Sequence, residues 1–194
     1  KNVRFATGVV GLRMNIFALD SDPFKAARMM CDKHIPKMVV ETAQMMASAL
    51  IRHGATPDMM PLTKSGTPYK GGYHHHPCTV WAGDTERNFI WLAFHGNALL
   101  DEYFARYNKA HACEEPIKQM TDMSGMLPDG ALTAFAQAMP DEFKNSFFDA
   151  HDIMASVHAY RAYYHSKGFA KWEKGTPAPW WWGHPFYACV ADSL

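Results

Sequence analysis

The chain has 194 residues with 19 basic and 19 acidic side chains. It therefore has no net field to gather nucleic acid or anionic membrane, and any such binding must come from a local patch. Hydrophobic residues make up 48%, which excludes a disordered or low-complexity chain and is enough at this length for one domain with a real core.

Residues 1–13, KNVRFATGVVGLR, lack the long apolar centre of a signal peptide and read as an extension ahead of Met14. The remainder, 14–194, reads as one helical domain. Asn15 to Leu19 suits a short strand or an extended lead-in. Asp22-Pro23 then marks a helix start, with Asp22 as cap, running through Phe24, Ala27 and Met30 to about Cys31.

The central helix follows, with Pro36 in its first turn and its end near His53-Gly54. Met38, Val39, Thr42, Met45, Met46, Ala49 and Leu50 recur at helical spacing and give a broad apolar face. What remains is a polar line of Lys37, Glu41, Gln44 and Ser48. A helix apolar nearly all round is normally buried, so this line is expected to face a cleft. Residues 54–78 are rich in Gly, Pro, Thr and His and read as a long loop of the kind that carries function.

A second long helix is predicted from about Asp84 to Ala110, capped by Asp84. Along it Asn88, His95, Glu102 and Arg106 fall almost in line, spaced by seven, seven and four. Two helices packed with their polar lines opposed would enclose a small-ligand pocket. The plainer alternative is a pair of ion-pair networks, Lys37–Glu41 and Glu102–Arg106. Residues 113–130 read as a connection, Ala131–Ala138 as a short helix, Met139–Phe143 as another helix start, and Asp152–Ser166 as the last helix. The Pro- and Trp-rich tail 177–182 is expected to lie extended on the body. The fold class is thus mainly α, a helical bundle with one long His/Gly/Pro-rich loop. No uninterrupted apolar run is long enough to span a membrane. With no leader visible, a cytoplasmic protein with reduced Cys31, Cys78, Cys113 and Cys189 is expected.

Four groupings carry chemistry. Glu41 beside Lys37 in an apolar setting suits a general acid/base, with His34 as proton shuttle or phosphate contact and Lys37 or Lys33 as an electrostatic partner or amine nucleophile. Cys31, His34, His76 and Cys78 are zinc-ligand types, although the paired spacing of a compact zinc site is missing. Cys31 or Cys78 near a helix start suits a thiolate, against the common burial of free cysteine. Tyr160, Tyr163, Tyr164 and Trp172, interleaved with Arg161, Lys167, Lys171 and Lys174, suit base stacking and phosphate neutralisation, against a core role for the tyrosines. No P-loop, dinucleotide fingerprint or H-E-x-x-H is present.

The blocks M-N-I-F-x-L-D-x-D-P at 14–23, C-D-K-H-x-x-K-M-x-x-E-T-A-Q at 31–44, H-P-C-x-x-W at 76–81, E-Y-x-x-R-Y at 102–107 and Q-A-M-P-D-E-F at 137–143 resemble a family of small proteins of tailed bacteriophages. The resemblance implies a phage product acting in the host cytoplasm and brings no assigned catalytic residues with it.

The expected function is an enzyme acting on a nucleotide or on a base in nucleic acid, by base excision, lyase or base-modification chemistry. Glu41, His34 and Lys37 would be catalytic. Lys33, Gln44, His76, Asn88, His95, Glu102, Arg106, Arg161 and Tyr164 would hold the substrate. The alternatives are a non-catalytic protein that sequesters a host factor or small nucleotide, and a zinc-stabilised structural protein.

Overall fold

The computed structural model describes residues 14–145 and 151–184. The N-terminal stretch 1–13 and the segment holding Cys189 lie outside the described residues. Among the described residues six α-helices account for the architecture: α1 (Pro23–Met29), α2 (His34–Arg52), α3 (Pro77–Asp84), α4 (Glu86–Tyr107), α5 (Glu114–Thr121) and α6 (Ile153–His165). Among the described residues there is no strand, only an isolated bridge between Leu62 and Pro68. No helix there is long and apolar enough to cross a membrane. The mainly α class expected from helical periodicity is what the chain adopts.

Local signals place several of these helices. The Asp22 carboxylate accepts from the N–H groups of Phe24 and Lys25, and Asp152 caps α6 in the same way through Met154 and Ala155. The predicted second long helix forms as the single helix α4, and a separate short helix, α3, precedes it. Pro77 opens the separate helix α3 under a cap from His76. Thr85 then adopts an extended conformation and its Oγ1 accepts from Asn88 N–H, so Thr85 rather than Asp84 starts α4. The expected loop thus ends one residue before Pro77, because a proline at the first helical position forfeits no hydrogen bond.

Two further expectations are corrected. The connection 113–130 contains α5, whose first turn carries Glu114 and Glu115, favourable at the positive end of the helix dipole. Residues 131–138 are not helical. Three of their N–H groups are taken by distant side chains: Thr133 N–H donates to Asn88 Oδ1, Phe135 N–H to Ser156 Oγ and Ala138 N–H to Tyr160 Oη. Tertiary hydrogen bonds here outweigh a weak local helix preference.

The helices α2 and α4 cross at close range. A Cβ added to Gly96 would stand 2.7 Å from Thr42 Cγ2. The lead-in 14–19 is neither strand nor surface loop but a buried extended thread, every residue from Met14 to Leu19 being buried. Such a thread must satisfy its backbone from side chains. Asn15 Oδ1 accepts from Ile16 and Phe17 N–H, Asn15 Nδ2 donates to Ala138 O, and Arg161 Nε donates to Leu19 O. The C-terminal Trp181 is fully buried, so this tail packs on the body as its apolar content suggests.

Candidate active site

The face of α2 that carries His34, Lys37, Glu41, Gln44 and Ser48 runs from the buried thread to the His-rich loop. Glu41 is buried, and its Oε2 has no hydrogen-bond partner. Oε1 lies 4.0 Å from Lys37 Nζ. Burial pushes the carboxyl up to about 7, against the smaller opposing pull of the Lys37 charge. Glu41 is near enough to Cys78 for its charge to raise the thiol, and Cys78 in turn meets the Ile16 backbone. The carboxylate therefore stands where α2, the start of α3 and the buried thread converge. Gln44, one turn further on, is half-buried.

His34 is held rather than free. Its Nδ1 lies 2.9 Å from Tyr164 Oη, and the same phenol oxygen accepts from Cys31 N–H. Burial lowers the imidazole to about 3, with Lys37, Lys167 and Lys33 adding to the effect. At neutral pH the ring is uncharged, so Nδ1 can accept the phenol proton. The ring stacks on Phe17 at 4.6 Å. Phe17 itself has φ of 43°, a left-handed conformation costly for an aromatic residue and concentrated at functional positions.

Three lysines surround this aromatic layer. Lys167 Nζ sits 3.8 Å above the Tyr163 ring and 5.7 Å from that of Phe17. Lys33 Nζ lies 4.8 Å from the ring of the exposed Phe169. The Lys37 side chain is 58% exposed. The basic and aromatic character expected of the C-terminal segment is therefore present, but through Lys167, Tyr163 and Phe169. Arg161 and Tyr164 turn inward. Arg161 binds Leu19 O and Asp20, and Tyr164 is fully buried against Cys31 and His34. Neither presents a surface to a base or phosphate.

The second polar line, on α4, has partners other than the first. Asn88 Nδ2 donates to Trp81 O and Thr133 Oγ1. His95 Nδ1 donates to Pro23 O, its ring stacks on Trp91 at 4.9 Å, and burial lowers it to about 4. Arg106 binds Glu102 at 2.8 Å, Asp32 at 3.0 Å and the carbonyls of Arg28 and Met30. Glu102 also accepts from Thr176 Oγ1. These four side chains tie α4 to α1, to the turn after it, to α3, to Thr133 and to Thr176. Their partners do not include Lys37, Glu41 or Gln44, so the substrate wall expected from Asn88, His95, Glu102 and Arg106 is internal scaffolding.

The zinc-type residues are also dispersed. Among the described residues no three His, Cys, Asp or Glu side chains converge to hold a metal ion. Cys31, Cys78 and Cys113 are free and buried. Burial raises Cys78 to about 12, which removes it as a thiolate nucleophile at neutral pH. His76 is occupied as the cap of α3 through Nδ1, leaving its buried Nε2 without a partner. Phe17 and Phe169 stand beside the candidate site and are not marked by the pattern of the sequence. An isolated aromatic carries no periodic signal.

The arrangement is a buried, partnerless carboxylate under a rim of lysines and accessible aromatic rings. That is the combination needed to meet a polyanion and to stabilise positive charge developing on a sugar. No curated protein and no solved structure matches the chain. A family model described as pyrimidine dimer DNA glycosylase matches residues 14–115, more than half of the 194 residues. It covers the buried thread, α2, the His-rich loop and α4, and so includes Glu41, His34 and Lys37. The chain belongs to the pyrimidine dimer DNA glycosylase family.

Proposed function

We propose that this chain removes dimerised pyrimidines from DNA, with Glu41 as the carboxylate at the reacting sugar. The observation that carries the assignment is the partnerless Glu41 Oε2, buried beside Lys37 in a chain of this family. When the glycosidic bond breaks, its electron pair leaves with the base and positive charge develops on C1′ of the sugar. An ionised carboxylate in a low-dielectric setting stabilises that charge far more than water does. Water then adds to C1′ to leave the abasic sugar, and the proton it releases balances the one taken up by the departing base.

Lys37 acts here as the electrostatic partner. Its charge favours ionisation of Glu41, and its exposed end is free to meet the phosphate backbone. His34, neutral and held by Tyr164, positions the Phe17 ring and the start of α2. Lys33, Lys167, Tyr163 and Phe169 form the strand-binding rim.

The test uses a duplex oligonucleotide with one defined thymine dimer. Wild-type protein should release the dimerised base and leave an abasic site, whereas Glu41→Gln should bind the duplex with similar affinity and excise about 10²–10⁴-fold more slowly. Excision by Glu41→Gln at the wild-type rate would remove Glu41 from the reaction.

A further inference from the structure

We propose that the cavity at the far end of the α2 polar line binds a phosphate group of the DNA strand on which Glu41 acts. This rests on the excision reading for the identity of the strand. The cavity has a volume of about 300 Å³ and is lined by Ser48, Arg52, His74, His75, Thr79 and Val80. Ser48 lies seven residues beyond Glu41 on α2, about 10 Å along the helix axis, so both places are within reach of one strand.

The decisive side chain is Thr79. It is only 3% exposed, and its Oγ1 has no hydrogen-bond partner. A buried hydroxyl without a partner is rare, and the residue that carries this one lines a cavity. Thr79 is also the third residue of α3, in the first turn, where backbone N–H groups lack helical acceptors and favour an anion.

The rest of the lining has matching chemistry. Arg52 bonds to Val80 O at 3.1 Å and to Asp84 at 3.0 Å, both through Nη1, so the remaining donors of its fork are available. His74 and His75 are exposed and contribute imidazole N–H groups. Among the described residues no carboxylate lines the cavity. The loop that carries the two histidines is fixed over α2. Ser48 Oγ donates to Gly72 O and accepts from Gly72 N–H. Gly71 has φ of 66°, and a Cβ there would stand 2.7 Å from the Ser48 backbone nitrogen. Only glycine permits this approach, and it sets His74 and His75 beside Thr79.

Two measurements on the full chain test the assignment. In an NMR titration with inorganic phosphate, the Thr79 amide should shift and saturate, and Thr79→Val with His74→Ala and His75→Ala should abolish the effect. In binding to the thymine-dimer duplex across a NaCl series, His74→Ala/His75→Ala should weaken affinity at least three-fold. It should also reduce the slope of log K against log salt by about one. These two histidines are exposed, so the variant should melt at the wild-type temperature by circular dichroism.

A Thr79 shift with unchanged DNA affinity and slope would mean that the cavity takes free phosphate, which overturns the assignment to the strand. No shift and no change in DNA binding would overturn the site altogether. Absence of excision by the wild type, with the slope still flattened by the histidine variant, would sink the excision reading and leave the phosphate site standing.

Discussion

Lys37 and Glu41 sit one turn apart on α2 and make an ion pair across two different media. Their charged atoms are 4.0 Å apart, yet the lysine side chain is 58% exposed and the glutamate 7%. Water screens the cation and not the anion, so the pair does little to offset burial of the carboxyl, which stays near 7 instead of in the ordinary carboxylate range.

That value makes excision pH-dependent in a stated direction. If the working form is the carboxylate, the single-turnover rate rises with pH through about 7 and levels off above it. On the acid side it falls tenfold per pH unit. Glu41→Gln should flatten this profile and lower the rate by about 10²–10⁴-fold. A wild-type rate that is level from pH 5 to 8 would disconnect Glu41 from the chemistry.

The same burial costs stability, with a sign that can be checked. Folding raises the Glu41 pKa from 4.5 to about 7, so between these values the folded state holds a proton that the unfolded chain has lost. Its contribution is fully present below about pH 4.5 and is lost as pH rises to 7. Glu41→Gln cannot ionise, so it should match the wild type near pH 4.5. It should become more stable above pH 7, by at most roughly 3 kcal/mol. Urea titrations of the two proteins across this range measure the gap. His34 and His95, lowered to about 3 and 4, act in the opposite direction as pH falls below 6.5, but they act equally in both proteins and cancel in the difference.

Replacing Arg106 should be severe. Its side chain is fully buried, and it bonds two carboxylates and two carbonyls at once. Arg106→Met leaves Asp32 and Glu102 without their cation, at a cost of about 3–5 kcal/mol. Arg106→Lys should recover little, because an ammonium cannot span that planar set of acceptors. Chemical denaturation of both variants gives the comparison.

The crossing of the long helices gives a prediction opposite to helix propensity. Alanine favours a helix interior over glycine by about 1 kcal/mol. Gly96→Ala nonetheless drives a Cβ to 2.7 Å from Thr42 Cγ2, and overpacking of this kind costs about 1–3 kcal/mol. The variant should be destabilised, and Gly96→Ala with Thr42→Ser, which removes the opposing methyl, should recover most of the loss. A Gly96→Ala protein that melts at or above the wild-type temperature would show that α2 and α4 can separate freely.

The lysine rim should act on affinity rather than turnover. Lys33→Ala and Lys167→Ala should each weaken binding to undamaged and damaged duplex alike, and each should reduce the salt slope by about one. The rate at saturating protein should stay close to wild type. A loss confined to damaged DNA would mean that these lysines read the lesion and not the backbone.

The sequence by itself determined what depends on neighbours along the chain. The Asp22 and Asp152 caps, the apolar face of α2 and the polar line through Lys37, Glu41 and Gln44 all follow from spacing, because a helix maps positions three and four apart onto one face. Tertiary packing alone settles which polar line keeps an unpartnered buried carboxylate and which is spent on internal bonds. Asn88, His95, Glu102 and Arg106 have the same spacing signature as a site wall. They are consumed by Thr133, Pro23, Thr176 and Asp32, partners between 45 and 74 residues away. The same holds for residues 131–138, three of whose N–H groups bond to side chains on α4 and α6, and for Phe17, strained beneath His34. Hydrogen-bond partners of that separation leave no periodic trace in a single chain, since nothing local depends on them.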